Sequence, residues 1–382
     1  IVIISYYVDY RGLFMSFLVE SLRYMMDKES LLLKVEAIVD WQPIADNLKV
    51  KLGKEVMRGQ APYDYLSLLK VLLLQQWHQL SDPKMEEALH TRIDFMWFTG
   101  FGLADKEMHV PDETTICRFR NKLVKKDMLE GYLKQVNRQL EQHNLKVKIT
   151  EGAILDATLI TAAVNSQAKP KLIAEDRNED DIDNSGGGGD LFELSANEQS
   201  NVEIDPDAKW LKKGKRNIFG FKEFIVTDAT DGYYEHLAIT PANQSEMTSL
   251  EQVMQPIIEE ATPRFLQTDK GYASEANREF LKANNIGNGI MDKAKRNTKL
   301  TFKQLYRNKR ISKTRYLVER TNATTKNIFG FSKSKYIGIA KVKTQALLVA
   351  IAHNLLKAAN KINLTRDNSV QILRKRQISW VF

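Results

Sequence analysis

Ile154-Leu155-Asp156-Ala157-Thr158-Leu159-Ile160 sets one carboxylate in the middle of an apolar, strand-length run. An Asp in mid-sheet is costly unless it is paired or metal-bound, because an uncompensated buried charge is strongly unfavourable. The stretch also marks a change of texture. Upstream, apolar residues recur at three- and four-residue spacing; from Ile149 onward the pattern turns to β. Strands are predicted over residues 152–160, 220–227 and 233–239, with Asp228-Ala229-Thr230-Asp231-Gly232 as a hairpin turn between the last two. A helix over 246–260, with Pro256 as a point of kinking or splitting, leads to a short strand at 264–268. A helix at 274–283, a strand near 287–291, a basic stretch at 293–310, a helix carrying Glu319 and a long helix over 341–361 follow. That order predicts an α/β core, a mixed sheet flanked by helices.

A second acidic position stands in Leu266-Gln267-Thr268-Asp269-Lys270-Gly271-Tyr272, where Asp269 ends an apolar strand. It projects from the strand's carboxyl end, where open α/β sheets place their ligands. A third lies in Arg315-Tyr316-Leu317-Val318-Glu319-Arg320. At about 100° per residue, Arg315, Glu319, Asn322 and Lys326 fall within roughly 60° of one another on one helix face. Asp156, Asp269 and Glu319 are 113 and then 50 residues apart. They can converge if two lie on adjacent strands and the third on a neighbouring helix. Converged, they suit two hard divalent cations about 3.5–4 Å apart, which activate an attacking oxygen and stabilise the leaving oxygen of a phosphodiester. Lys270, next to Asp269, is placed to neutralise non-bridging oxygens. The histidines, His236 included, show no ligand spacing.

Residues 28–147 read as an all-α domain preceding that core. Its clearest helix covers 63–79: Pro62 precedes it, Asp64 is a capping residue, and Leu66, Leu69, Val71, Leu72, Leu73 and Trp77 make it apolar on most sides, as in a central buried helix. Ser81-Asp82-Pro83 opens another helix, over 85–93. Beyond Gly100-Phe101-Gly102, Pro111-Asp112-Glu113-Thr114-Thr115 starts a helix presenting Arg118, Arg120, Lys122, Lys125 and Lys126. Two helices across a short break, the second basic, have the pattern of a helix-turn-helix, with Arg118 and Arg120 as DNA contacts. A plain bundle with a solvated basic face is the other reading.

With 382 residues and 43.8 kDa the chain is long enough for two cores. Its formal charge of +8 is unevenly spread: between Glu175 and Asp207 stand twelve acids and one Arg, a net of −11 that leaves +19 on the remainder. So basic a body favours a nucleic-acid partner. The acidic, Gly-rich range 163–210 cannot bury a core and is predicted to be a disordered insertion within a catalytic domain at 148–362, with a basic tail at 363–382. A single cysteine, Cys117, excludes an intramolecular disulfide and a Cys-rich zinc site, which fits a reducing cytoplasm; together with the basic body, a cytoplasmic, nucleoid-associated protein is expected. The apolar start carries Asp9 and Arg11 and is too short to span a membrane. Residues 1–27 are expected to be an unstructured or non-native extension, with Met15 or Met26 as the natural start and residues 1–14 packing on nothing.

These motifs resemble those of the DDE transposases of bacterial insertion sequences, in the superfamily that includes the insertion-sequence-four and insertion-sequence-five groups. The resemblance rests on the Asp156 strand, on Thr268-Asp269-Lys270-Gly271-Tyr272, and on Arg315-x3-Glu319-x6-Lys326. In the helical half it rests on Leu72-Leu73-Leu74-Gln75-Gln76-Trp77, Leu80-Ser81-Asp82-Pro83 and the run from Pro111 to Arg120. It covers about residues 34–360. One departure stands out: the family's fuller signature has Tyr three residues before the Arg, and here that place is Ser312. The resemblance implies a ribonuclease H-like core in which Asp156, Asp269 and Glu319 hold two Mg²⁺ or Mn²⁺ ions while Arg315 and Lys326 grip phosphates. It further implies cleavage by water, attack of the freed 3′-hydroxyl on target DNA, double-stranded DNA ends and target as partners, and a homodimer in the DNA complex. A ribonuclease H-like nuclease that cuts without joining, and a catalytically inactive DNA-binding descendant, are the competing readings.

Overall fold

A computed structural model describes residues 29–53, 63–101, 109–164, 191–192, 205–294, 297–365 and 372. The expectations for residues 1–28, for most of the acidic range and for nearly all of the basic tail lie outside the described residues. The chain divides into two compact units, one of Ile1–Lys126, Arg138–Leu145 and Leu355–Phe382, the other of Asp127–Asn137 and Lys146–Asn354.

In the first unit the described helices are α1 (Leu31–Ile38), α2 (Gln42–Leu52), α3 (Tyr65–His78), α4 (Asp82–Thr91), α5 (Ile93–Thr99) and α6 (Glu113–Lys126), and the residues of α7 (Leu129–Gln142) are divided between the two units. The unbroken apolar run of α3 is explained by its place at the centre: Leu68, Leu69 and every residue from Val71 to Leu74 are buried. Asp64 caps it, its Oδ2 accepting the Ser67 N–H at 2.8 Å. The buried Lys70 is neutralised by Glu36 at 2.6 Å and lies over the rings of Trp41 and Phe98. The helix-turn-helix reading needs correction, because α5 intervenes between α4 and α6 and is itself core, burying Phe95, Trp97 and Phe98. Arg120 needs correction too. Only 5% exposed, it forms an ion pair with Asp82 and reaches Gln75 Oε1 at 3.4 Å, so it fastens α6 to α4 and α3 rather than facing DNA.

The second unit is built on β1 (Ala153–Thr161), β2 (Leu191–Phe192), β3 (Lys209–Lys213), β4 (Arg216–Asp228), β5 (Tyr234–Pro241), β6 (Phe265–Thr268) and β7 (Gly287–Ile290). Strands follow the order β2-β3-β4-β1-β6-β7, and β5 also pairs with β4. β4 runs antiparallel to β1 and β5, whereas β1, β6 and β7 are mutually parallel. This mixed sheet flanked by helices is ribonuclease H-like. The Asp228 carboxylate organises the β4–β5 turn by accepting N–H groups of Thr230, Asp231 and Tyr233.

Alternation along β1 decides what each face meets. Ala153 and Leu155 join Phe224, Val226 and Leu266 in a core completed by Leu250, Val253, Met254 and Ile257 of α8 (Glu246–Ile258) and by Leu281 of α9 (Glu275–Ala283). Asp156 therefore points to the opposite face, which α10 (Phe302–Asn327) covers. Pro256 neither splits nor ends α8, which continues to Ile258. α10 starts inside the basic stretch with a capping box formed by Thr301 and Gln304. The range read as a disordered insertion is also corrected at its end. β3 begins at Lys209, Asp205 is buried, and the Asp205 and Asp207 carboxylates accept the N–H groups of Gly338 and Ile339 at the start of α11 (Ile339–Ala359). Those N–H groups have no partner within the helix, so carboxylates are the natural ligands. Among the described residues no helix is long and apolar enough to cross a membrane.

Candidate active site

β1 and β6 pair in parallel with Ala153 opposite Leu266 and Ile154 opposite Gln267. Carried two positions further, the same register sets Asp156, inside β1, beside Asp269, which directly follows the last residue of β6. The Asp156 carboxylate accepts from Arg315 Nη2 on Oδ1 and from Asn322 Nδ2 on Oδ2, each at 3.0 Å. Burial pushes its pKa up to about 6; Arg315 opposes that rise, and the charges of Asp269 and Glu246 reinforce it. α10 is held in place by Thr314, which hydrogen-bonds Gln267 on β6, and by Thr321 Oγ1, which donates to the Gly232 carbonyl at 2.7 Å. Leu317 and Val318 are buried beneath the helix.

Asp269 turns the chain after β6: its Oδ1 accepts the Gly271 N–H at 2.7 Å. Glu246, the first residue of α8, stands against that turn. A Cβ built on Gly271 would lie 2.5 Å from Glu246 Oε2 and 2.9 Å from Asp269 Oδ1. On its other side Glu246 Oε1 is 3.5 Å from Lys222 Nζ, which donates to the Gln244 carbonyl at 2.7 Å. Asn277 ties the two segments together, its Nδ2 donating to the carbonyls of Met247 and Tyr272. Tyr272 is fully buried, and its hydroxyl has no hydrogen-bond partner. Burial holds its pKa far above the usual range, and Glu246, Asp156 and Asp269 push it the same way.

Glu319 is exposed on α10, between Arg315 and Asn322 in sequence and on the face those two residues turn to Asp156. Among the described residues no three Asp, Glu, His or Cys side chains are grouped so as to hold a metal ion. Lys326 lies one turn beyond Asn322 on the helix, half-buried, its amine pKa lowered by burial and raised in part by Glu223. Glu223 on β4 is itself fully buried, with its pKa pushed up to about 8. Lys270 is exposed beside Asp269, and Arg118 is exposed on α6 in the first unit.

The donor chemistry suits a divalent cation. Asp156 within β1 neighbours Asp269 at the end of β6, Glu246 stands at the turn that Asp269 makes, and the Tyr272 hydroxyl is without a partner. Mg²⁺ is commonly bound through one or two carboxylates, with waters and substrate phosphates completing its octahedron. Glu246 carried no sequence signal, since an acid in the first turn of a helix is ordinary complementation of the helix dipole. Lys222 and Glu223 did carry one: two charged residues inside the buried run Phe219-Gly220-Phe221-Lys222-Glu223-Phe224-Ile225.

Two family profiles match the sequence, "Transposase domain (DUF772)" over residues 20–122 and "Transposase DDE domain" over residues 148–355. The chain is 38% identical over 246 residues to a transposase for insertion sequence element IS1106 from Neisseria meningitidis serogroup B, an alignment covering 64% of this chain and 78% of that protein. Among solved structures it is similar to a piggyBac transposase synaptic complex with hairpin DNA, with 9% identity, a TM-score of 0.40, and 97% and 79% of the two chains covered. It is similar also to a Mos1 mariner paired end complex with Mn, with 12% identity, a TM-score of 0.17, and 92% and 98% covered. The second profile takes in the whole segment in which β1, β6 and α10 bring Asp156, Asp269 and Arg315 to one place, and it establishes that this chain belongs to the DDE transposases of bacterial insertion sequences.

Proposed function

We propose that this transposase binds the terminal inverted repeats of its insertion sequence, cuts the DNA there and joins the ends to target DNA by two-metal phosphodiester transfer. The observation that carries the reading is the placing of Asp156, within β1, next to Asp269, at the end of the adjacent parallel strand β6, with Arg315 bonded to the first. Asp156 and Asp269 hold the ions, Mg²⁺ or Mn²⁺, with Glu319 of α10 as the third ligand. Bound there, the ions supply activation of the attacking oxygen and stabilisation of the leaving one. Arg315, freed from Asp156, and Lys326 neutralise phosphate oxygens at the cleaved end. No side chain is needed as a nucleophile, because water and then the freed 3′-hydroxyl attack in line. Arg118 on α6 and Lys270 beside Asp269 contribute backbone contacts, and two copies of the chain pair the two ends.

The test is Mg²⁺-dependent nicking of a supercoiled plasmid carrying the element's two ends, with wild type run beside Asp156→Ala, Asp269→Ala and Glu319→Ala. Nicking by wild type, lost in each variant while end binding persists, is the expected result. Nicking that survives all three changes sinks the metal-site assignment.

A further inference from the structure

We propose that Glu246 is an additional acid of this site, sharing with Asp269 the binding of a divalent cation across Gly271. The inference rests on the metal-dependent reading above and adds a ligand to it. Its first ground is how the two oxygens of Glu246 are divided. Oε1 faces Lys222 Nζ at 3.5 Å, whereas Oε2 is turned toward the Asp269 side. Lys222 lies 3.5 Å from the first oxygen and acts electrostatically on Asp269 as well, but a single lysine leaves the two acids with a net negative charge. The second oxygen lies with Asp269 Oδ1 about a space too narrow for a methyl group, as the 2.5 and 2.9 Å distances from a Cβ placed on Gly271 define it. Two carboxylates brought this close repel each other unless a cation lies between or beside them.

An independent ground is Tyr272. Its side chain is 0% exposed, its hydroxyl is without a partner, and Glu246, Asp156 and Asp269 all act on it electrostatically. A buried hydroxyl without a hydrogen bond is costly, and one placed behind three acids is satisfied when water or another ligand of a bound cation reaches it. The local architecture is also fixed rather than incidental. Lys222 is anchored on the Gln244 carbonyl, and Asn277 bridges the start of α8 to the turn after Asp269. Glycine at 271 completes the arrangement, since any side chain there enters the space between the acids.

The experiment is titration of the full-length protein with Mn²⁺, following the free ion by electron paramagnetic resonance, with and without a duplex carrying the element's end. Wild type is compared with Glu246→Gln, Gly271→Ala and Asp269→Asn, and the thermal unfolding midpoint of each is recorded without metal. Asp269→Asn, Glu246→Gln and Gly271→Ala are each expected to weaken Mn²⁺ binding by about tenfold or more. Glu246→Gln keeps the length and a hydrogen-bonding oxygen for Lys222, and Gly271→Ala keeps every acid. If Asp269→Asn weakens Mn²⁺ while Glu246→Gln and Gly271→Ala bind it as wild type does, Glu246 is only the partner of Lys222 and this inference is overturned. If Asp269→Asn is also without effect, or the wild-type chain binds no Mn²⁺ in either condition, the metal reading falls and takes this inference with it.

Discussion

Glu223 shows most directly how one residue can record the conflict between fold and charge. It lies on β4 opposite Thr158 in the register with β1, fully buried, with Lys326 the cation that acts on it and with Tyr234, also buried, close enough to feel its charge. Its pKa of about 8 stands above the ordinary carboxylate value, so the folded state binds the proton more tightly than the unfolded chain. The stabilisation this gives is fully present below about pH 4.5 and is lost as pH rises through about 8. Glu223→Gln should remove that dependence, leaving the variant more stable than wild type well above pH 8 by on the order of 5 kcal/mol, read from urea unfolding at a series of pH values. Arg120 makes the opposite case, a charge that looked free and is not. Arg120→Ala leaves Asp82, which is partly exposed, with the Gln75 Nε2–H still donating to it but without its cation, and should cost about 2 kcal/mol of unfolding free energy measured by urea titration; an unchanged midpoint would mean the pair contributes nothing. The two aspartates were legible because an acid inside or at the end of an apolar strand breaks the local pattern. Arg120 was misjudged because a basic residue on a helix gives no local sign that Asp82, 38 residues earlier, will reach it.

Helix α10 carries the site at the scale of the element. Its 26 residues turn Arg315 and Asn322 onto Asp156, and Thr314 and Thr321 fix its rotation. Since Arg315 is the cation that pulls the Asp156 pKa down, Arg315→Gln should move the carboxyl titration of Asp156 upward from about 6, followed by carbon-13 NMR in metal-free protein. A midpoint that stays put or falls would show that Arg315 does not govern Asp156. Helical spacing alone put Arg315, Glu319, Asn322 and Lys326 on one face, and the period-two pattern placed β1, β4, β5 and β6 within a few residues of their observed ends. The separation of α4 from α6 by α5 was not legible, because seven consecutive residues, Ile93–Thr99, are too few to show a period apart from the helix before them. Nor was β3, whose Lys-Trp-Leu-Lys-Lys sequence has the composition of a solvated edge and acquires its form by pairing with β4.

Charge is distributed at the scale of the whole molecule, and there it bears on DNA rather than on the fold. The +19 outside residues 175–207 attracts a polyanion, and the −11 within them opposes it, so the net +8 understates what the basic surfaces offer. Binding that rests on phosphate neutralisation releases counterions, and its logarithm falls linearly with the logarithm of salt concentration, by close to one unit of slope per phosphate contacted. For about six contacts the slope is roughly −5, so raising salt from about 50 to 200 mM should weaken binding of an end-carrying duplex by about a thousandfold. Replacing the acids between Glu175 and Glu203 by their amides removes a repulsion without adding a phosphate contact. It should therefore tighten binding at low salt, where the screening length is on the order of 10–30 Å, and converge on wild type near 1 M, where that length falls to about 3 Å. Parallel salt titrations of the two proteins by fluorescence anisotropy check this. Curves that coincide at every salt concentration would mean the acidic run does not act on DNA through its charge, and a steeper slope in the variant would mean it competes directly for phosphate-binding residues.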